Sequence, residues 1–282
     1  MRVALAQLDC RLGDLDANIE RAGDKIEMAH SAGADVVVFP ELSLSGYWLA
    51  GVEDPSSLAI SARSQVLTDL AGVGGTTAAV VGFVEEGQRY NLYNSVAYLE
   101  QGAVTHVHRK NYLVTYHSFE EGKYFTPGPE IRAFDTDMGR MAMLVCNDAW
   151  QPPLVFLAIQ AGATVLVVPS NSAQSDFDAV ADTRRYWQHI TRFYAMLFQC
   201  FVIFVNRVGA ESTLRFWGGS HVVDPWGEIC HQAPLWEESM SLVDIDLTEV
   251  RRRRREVPFL KDSRLGHLAR EFRRVLAETG GD

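Results

Sequence analysis

Cys146 ends the apolar run Met141-Ala142-Met143-Leu144-Val145 and is followed by Asn147-Asp148-Ala149-Trp150. A buried strand that stops at a cysteine, with a helix after it, puts a thiol at the carboxyl edge of a sheet. Ligands sit at that edge in open α/β folds. Glu41 follows the strand Val36-Val37-Val38-Phe39 and Pro40, and Lys110 follows the strand Ala103–His108. Brought together, a thiol, a carboxylate and an ammonium make a nucleophile, a base and a cation for a developing oxyanion.

Attack on a carbonyl group needs all three: a nucleophile, a proton shuttle and a holder for the negative oxygen. Cys146 is the candidate nucleophile. A free cysteine near pH 7 is mostly thiol, and a neighbouring lysine and base are expected to favour the thiolate. Glu41 is the candidate base, and later the acid for the leaving group. Pro40 ends ladder pairing and aims the next side chain off the sheet edge. Lys110, with a backbone N–H after Cys146, is the candidate oxyanion holder; one fixed donor there is worth roughly 3–4 kcal/mol. Tyr47, Tyr116, Asn171 and Trp187 are candidate substrate-binding residues, Asn171 because it follows Val168-Pro169-Ser170 at another strand end. Asp148 and Trp150 are expected to support the turn after the nucleophile.

Other readings carry less. His106-x-His108 shares one strand face but lacks the further ligands of a metal site. No histidine sits in a protease-like Cys/His signature. The run Arg251–Arg255 suggests phosphate binding as one reading, but reads better as the solvated face of a helix near the C-terminus that takes part in a subunit contact. No metal or organic cofactor is expected.

The elements that must position these residues follow from periodicity. Leu15, Ile19, Ala22, Ile26 and Ala29 form one helix stripe, with Asp14 as N-cap and Gly33 as stop. Asp35–Phe39 is then a buried strand, giving β-α-β within the first forty residues. A second helix is expected from Asp54-Pro55 to Ala71. Hairpins are expected around Glu100-Gln101-Gly102 and Asp137-Met138-Gly139. Residues 111–130 form a long irregular stretch, and such stretches are usually functional. Further helices are expected over 152–160 and 178–199, and further strands over 164–168, 201–205, 221–223, 228–231 and 239–245.

With 282 residues and 47% hydrophobic side chains, the chain can bury a sizeable core. No Pro/Gly/Ser-rich linker divides it, so residues 1–282 are expected to form a single domain, with 261–282 as a helical tail. A net charge of −10 argues against broad nucleic-acid binding. No apolar run approaches the roughly 18 residues needed to span a membrane. The cysteines at 10, 146, 200 and 230 are far apart and form no CxxC pair, which fits a reduced, cytoplasmic protein.

Taken in order, Val38-Phe39-Pro40-Glu41, His108-Arg109-Lys110-Asn111-Tyr112-Leu113 and Cys146-Asn147-Asp148 resemble the nitrilase-like carbon–nitrogen hydrolases. Phe119–Gly128, Val205–Gly209, Gly218-Gly219-Ser220 and Asp224-Pro225-Trp226-Gly227 extend the resemblance from Val3 to about Arg264. It implies an α/β fold, a four-layer αββα sandwich of two mixed sheets with helices on both outer faces. It also implies a second glutamate that orients substrate or lysine, at Glu121 with the adjacent Glu120 as the other register. The expected activity is that of an amidase on linear amides of small molecules, with N-carbamoyl compounds or nitriles as alternatives, and acyl transfer or a noncatalytic scaffold behind them. True nitrilases usually carry Trp-Glu after the cysteine, where this chain has Asn147-Asp148. The stretch His108–Gly128 is similar to the glutaminase part of glutamine-dependent NAD synthetases. Those proteins carry a second, ATP-using domain, and this sequence has no phosphate-binding glycine loop, so a free-standing amidase is expected. The resemblance also implies a homodimer or higher homo-oligomer.

Overall fold

The computed structural model describes residues 1–174 and 182–280. In chain order, the first part contains β1 (Arg2–Gln7), α1 (Leu15–Ser31), β2 (Val36–Val38), α2 (Gln65–Val73), β3 (Ala78–Glu86), β4 (Leu92–Glu100) and β5 (Ala103–Arg109). The middle contains β6 (Ala133–Thr136), β7 (Gly139–Met143), α3 (Pro152–Gln160), β8 (Val165–Ser170), β9 (Ala173–Gln174) and α4 (Thr183–Phe198). The last part contains β10 (Phe201–Asn206), β11 (Val208–Glu211), β12 (Leu214–Trp217), β13 (His221–Val223), β14 (Ile229–Gln232), β15 (Ser239–Asp244), α5 (Thr248–Glu256) and α6 (Leu265–Thr279).

Two mixed sheets form. One has the order β15-β1-β2-β3-β4-β5, with β1, β2 and β3 parallel and the flanking strands antiparallel. The other has the order β14-β13-β10-β8-β7-β6, with β7, β8 and β10 parallel. The side-chain period of two sends alternate residues to opposite faces. Val3, Leu5, Val36 and Val38 from the first sheet meet Met141, Met143, Val165, Val167 and Ile203 from the second in one shared core. The other faces bury Ala4, Val37 and Ala79 against Ile26, Ala29, Leu67 and Leu70, and Ala142, Leu166 and Phe204 against Leu154, Val155, Trp187 and Tyr194. The result is the expected αββα sandwich. Each large apolar side chain so buried contributes on the order of 1.5–3 kcal/mol.

The apolar stripe of α1 is as read from the sequence, and Asp14 caps the helix by accepting the Ala17 N–H at 3.2 Å. The segment after Asp54 departs from expectation. It makes only a short 3₁₀ turn over Pro55–Leu58. Ile60 then bridges to Glu85, and Ser64 starts α2 by accepting the Leu67 N–H. A bridge to a neighbouring strand and a fresh capping serine outweigh the helix-starting proline. The sequence reading also lacked the small sheet β11-β12-β9. Of the helix expected over 178–199, residues 178–181 lie outside the described residues. The arginine run does form a helix, α5, but Arg254 is not a solvated side chain: it donates to Gln199 O at 3.2 Å and Ala163 O at 3.0 Å. Helix α6 buries none of its residues. No helix of the described residues is long and apolar enough to cross a membrane.

Candidate active site

Glu41 follows β2, the middle of the parallel strands of the first sheet, and Asn171 follows β8, the middle of those of the second. The two residues join the sheets. The Asn171 backbone N–H donates to Glu41 Oε2 at 2.8 Å, and Asn171 Nδ2 donates to the Glu41 carbonyl at 2.8 Å. Asn94, in β4, donates to Glu41 Oε1 at 2.7 Å. Each carboxylate oxygen thus has a fixed donor before the lysine is counted. The approach is tight: a Cβ at Gly82 would lie 2.5 Å from Leu42 N and 2.6 Å from Pro40 O. Only glycine lets β3 pass so close beneath Glu41.

Lys110 lies just past β5. Its Nζ donates at 2.7 Å to Glu41 Oε1 and at 2.7 Å to Glu121 Oε1. An ammonium has three donors, so one N–H remains beyond these two among the described residues. Gly128 backs this turn, its N–H donating to Lys110 O at 2.8 Å, and a Cβ there would meet Arg109 O at 2.2 Å. Glu121 is fixed in turn by Tyr47 OH at 2.7 Å and the Val114 N–H at 3.0 Å. Its neighbour Glu120 is exposed and pairs with Lys123. The geometry thus selects Glu121 over Glu120 as the carboxylate that meets the lysine.

Cys146 follows Val145 in the turn after β7, with φ at +46°. That left-handed backbone costs about 1–3 kcal/mol for a side chain other than glycine, and such strain clusters at functional sites. Cys146 lines a cavity of about 40 Å³ with Tyr47, Tyr116, Phe119, Trp150, Asn171 and Trp187 among its walls. All four candidate substrate-binding residues are in that lining. Tyr47, Asn171 and Trp187 are buried, and Tyr116 is exposed. Trp150 meets Trp187 edge to face at 5.7 Å.

The electrostatics of the site favour a neutral resting thiol. Burial pushes the Cys146 thiol up, Glu41 pushes it further, and Lys110 pulls it only partly back. The sequence expectation that lysine and base would favour the thiolate is therefore corrected: the nearby carboxylates and burial outweigh the ammonium. Burial works against the charge on Lys110, but Glu121, Glu41 and Cys146 overcome it and hold the ammonium well above the ordinary lysine range. Burial lifts the Glu121 carboxyl above its usual range, against the pull of Lys110 and with the push of Glu41.

Several supporting residues escaped the sequence reading. His108 Nε2 pairs with Asp148 Oδ2 at 2.8 Å, while His106 stacks on Phe134 at 4.1 Å. Arg207, fully buried, pairs with Glu211 and donates to Cys10 O at 2.7 Å. Glu211 accepts the N–H groups of Tyr47 at 3.0 Å and Trp48 at 2.7 Å, which fixes the loop that carries Tyr47. The signals in the sequence were slight: a polar Asn94-Ser95 pair inside an apolar strand, and a lone arginine directly after β10.

Residues 2–255 match the family model of the carbon-nitrogen hydrolases. A glutamine-dependent NAD(+) synthetase of Thermotoga maritima is 30% identical over 251 residues, covering 88% of this chain and 42% of the synthetase. The chain thus spans less than half the length of that synthetase. An (R)-stereoselective amidase of Pseudomonas sp is 32% identical over 272 residues, covering 94% of this chain and 92% of the amidase. Among solved structures, a carbon-nitrogen hydrolase from Helicobacter pylori G27 superposes with a TM-score of 0.83 at 25% identity, covering 94% of this chain and 96% of that one. The chain belongs to the carbon-nitrogen hydrolase family.

Proposed function

We propose that this protein hydrolyses the amide bond of a small, uncharged molecule through a thioester on Cys146. The observation that carries the reading is the Lys110 ammonium bonded at 2.7 Å to both Glu41 and Glu121 beside a cavity lined by Cys146. Sulfur attacks the carbonyl carbon as Glu41 takes the thiol proton. The carbonyl electron pair moves to oxygen, where Lys110 and a backbone N–H after Cys146 hold it. The C–N bond breaks as Glu41 passes its proton to the leaving nitrogen, and ammonia or an amine departs. Glu41 then deprotonates a water, which attacks the thioester; the C–S bond breaks, the acid leaves and the thiol is restored. Glu121 orients Lys110, and Tyr47, Tyr116, Asn171 and Trp187 contact the acyl group.

A cavity of about 40 Å³ holds roughly three water-sized groups, which fits a short acyl chain. The lining residues carry no fixed charge among the described residues. A buried ionic group on the substrate would go unpaired there, at high cost. Neutral primary amides are thus favoured over N-carbamoyl amino acids. The residues after Cys146 are not the Trp-Glu of nitrilases, which disfavours nitriles. Ammonia release from acetamide, propionamide, butyramide, benzamide and L-glutamine tests this, with Cys146→Ala as control. Thiol-dependent release from the neutral amides, with the acid as product, is the expected result. No release from any of them rejects the reading, and an acylated amine in place of the acid replaces hydrolysis with transfer.

We also assign the chain to one catalytic domain with a helical tail that starts at about residue 261; β15, late in the chain, completes the first sheet beside β1 and supports this. Four free cysteines are compatible with a cytoplasmic location. The exposed Leu265, Phe272, Val275 and Leu276 on α6 support a homo-oligomer. Light scattering that finds only a 31.4 kDa particle would count against the last assignment.

A further inference from the structure

We propose that Asp148 and His108 are positioning residues that set the spacing between the lysine and the nucleophile, an inference that rests on the thioester reading above. Asp148 is fully buried, and each of its oxygens is committed. Oδ1 accepts the N–H groups of Asn111 and Tyr112, both at 2.9 Å. Oδ2 accepts the Val145 N–H at 3.0 Å and meets His108 Nε2 at 2.8 Å.

These partners are not scattered. His108 lies two residues before Lys110, and Asn111 and Tyr112 directly after it. Val145 lies directly before Cys146, and Asp148 itself two residues after. One carboxylate thus ties the chain on both sides of the lysine to the chain on both sides of the thiol. Asn147 adds a tie of its own, Nδ2 donating to Tyr112 O at 3.1 Å. The two segments come from different sheets, β5 and β7, so no strand pairing fixes their spacing. Asp148 does so, and it also braces the left-handed backbone at Cys146.

A carboxylate suits this position because all its partners are donors. An asparagine would keep one accepting oxygen and turn an NH₂ group toward N–H donors, losing bonds on one side. His108 supplies a donor at Nε2; a glutamine side chain can present one at a similar reach, and a leucine cannot. Misplacement of reacting groups by about 1 Å can cost on the order of 100-fold in rate.

The test compares Asp148→Asn, His108→Leu and His108→Gln by propionamide turnover, by the rate at which iodoacetamide alkylates Cys146, and by thermal unfolding. Asp148→Asn and His108→Leu are expected to lower kcat by about 100-fold with KM changed less than about threefold. Alkylation slows about tenfold in both, because a displaced Lys110 supports the thiolate less. His108→Gln restores most of both rates. Equal losses in His108→Gln and His108→Leu, or full kcat and alkylation rate in Asp148→Asn, would overturn the proposal, as would loss of thermal stability with both rates intact. If the wild-type protein turns over no amide, the thioester reading fails, and the order of alkylation rates still decides the positioning role.

Discussion

The two sheets bring opposite chemistry to one site. The edge of the first sheet carries Glu41 and Lys110, with Glu121 in the loop behind. These are charged groups bonded to one another at 2.7 Å and withheld from solvent. The edge of the second sheet carries Cys146 and Asn171, a thiol held neutral by burial and an uncharged amide. Charge is preassembled on one side and absent on the other until a substrate arrives. Attack then forms the C–S bond as the thiol proton passes to Glu41, and the oxyanion appears beside an ammonium already fixed in place. Such preorganisation avoids reorganisation at the moment of reaction. A thiol that ionised in the resting state would compete with Glu41 and Glu121 for the same lysine.

This contrast can be broken from either side. Removing the sulfur is expected to have the largest effect on rate. Cys146→Ala should lower kcat by about 10⁴-fold or more in amide hydrolysis assays, with little change in thermal midpoint. Removing the ammonium strikes both activity and fold. Lys110→Met should lower kcat by about 10²–10³-fold. It also leaves two buried carboxylates facing each other, at a cost of about 3–5 kcal/mol in denaturant unfolding. A smaller effect is expected at Tyr47→Phe, which removes the 2.7 Å bond to Glu121 and nothing else from that wall. About tenfold in kcat, near 1.4 kcal/mol, is the expected size.

The smallest effect concerns thiols buried elsewhere. Burial lifts Cys10 to about 11 and Cys200 to about 12. The unfolded chain loses these protons near pH 9 while the fold keeps them. The stability they contribute is therefore fully present below that pH and lost progressively as pH rises through the folded values. Unfolding free energy should fall across that window by at most about 1.4 kcal/mol per pH unit per thiol. Cys200→Ala should flatten the slope measured by urea unfolding from about pH 8 to about pH 10.5, either side of the ordinary thiol range. An unchanged slope would contradict the assignment.

The sequence showed the charged groups more plainly than the structure that holds them. Glu41 and Cys146 each follow an apolar run and Lys110 follows a mixed strand, and those placements are sheet-edge signals. Helix α1 was legible for the same reason, since a repeated stripe and a capping aspartate agree. The second helix was not, because the Ile60 bridge to Glu85 depends on a strand well downstream. The same holds for the support network. Asp148 bonds to Asn111 and Tyr112, and Glu211 to Tyr47 and Trp48. Local pattern carries no record of such pairings. The protonation of Cys146 was likewise beyond the sequence, because it turns first on burial and then on how many carboxylates face one lysine.

The most direct test of the account is the mass of the protein during turnover. Acid quench of the wild-type protein during turnover of propionamide should leave a propionyl group on the peptide containing Cys146, whereas Glu41→Gln lacks the base that takes the thiol proton and should acylate slowly. The account predicts that adduct in the wild-type protein and its absence in Cys146→Ala. Amide turnover by the wild-type protein with no acyl adduct on Cys146 under any quench, or an adduct on another residue, would contradict it.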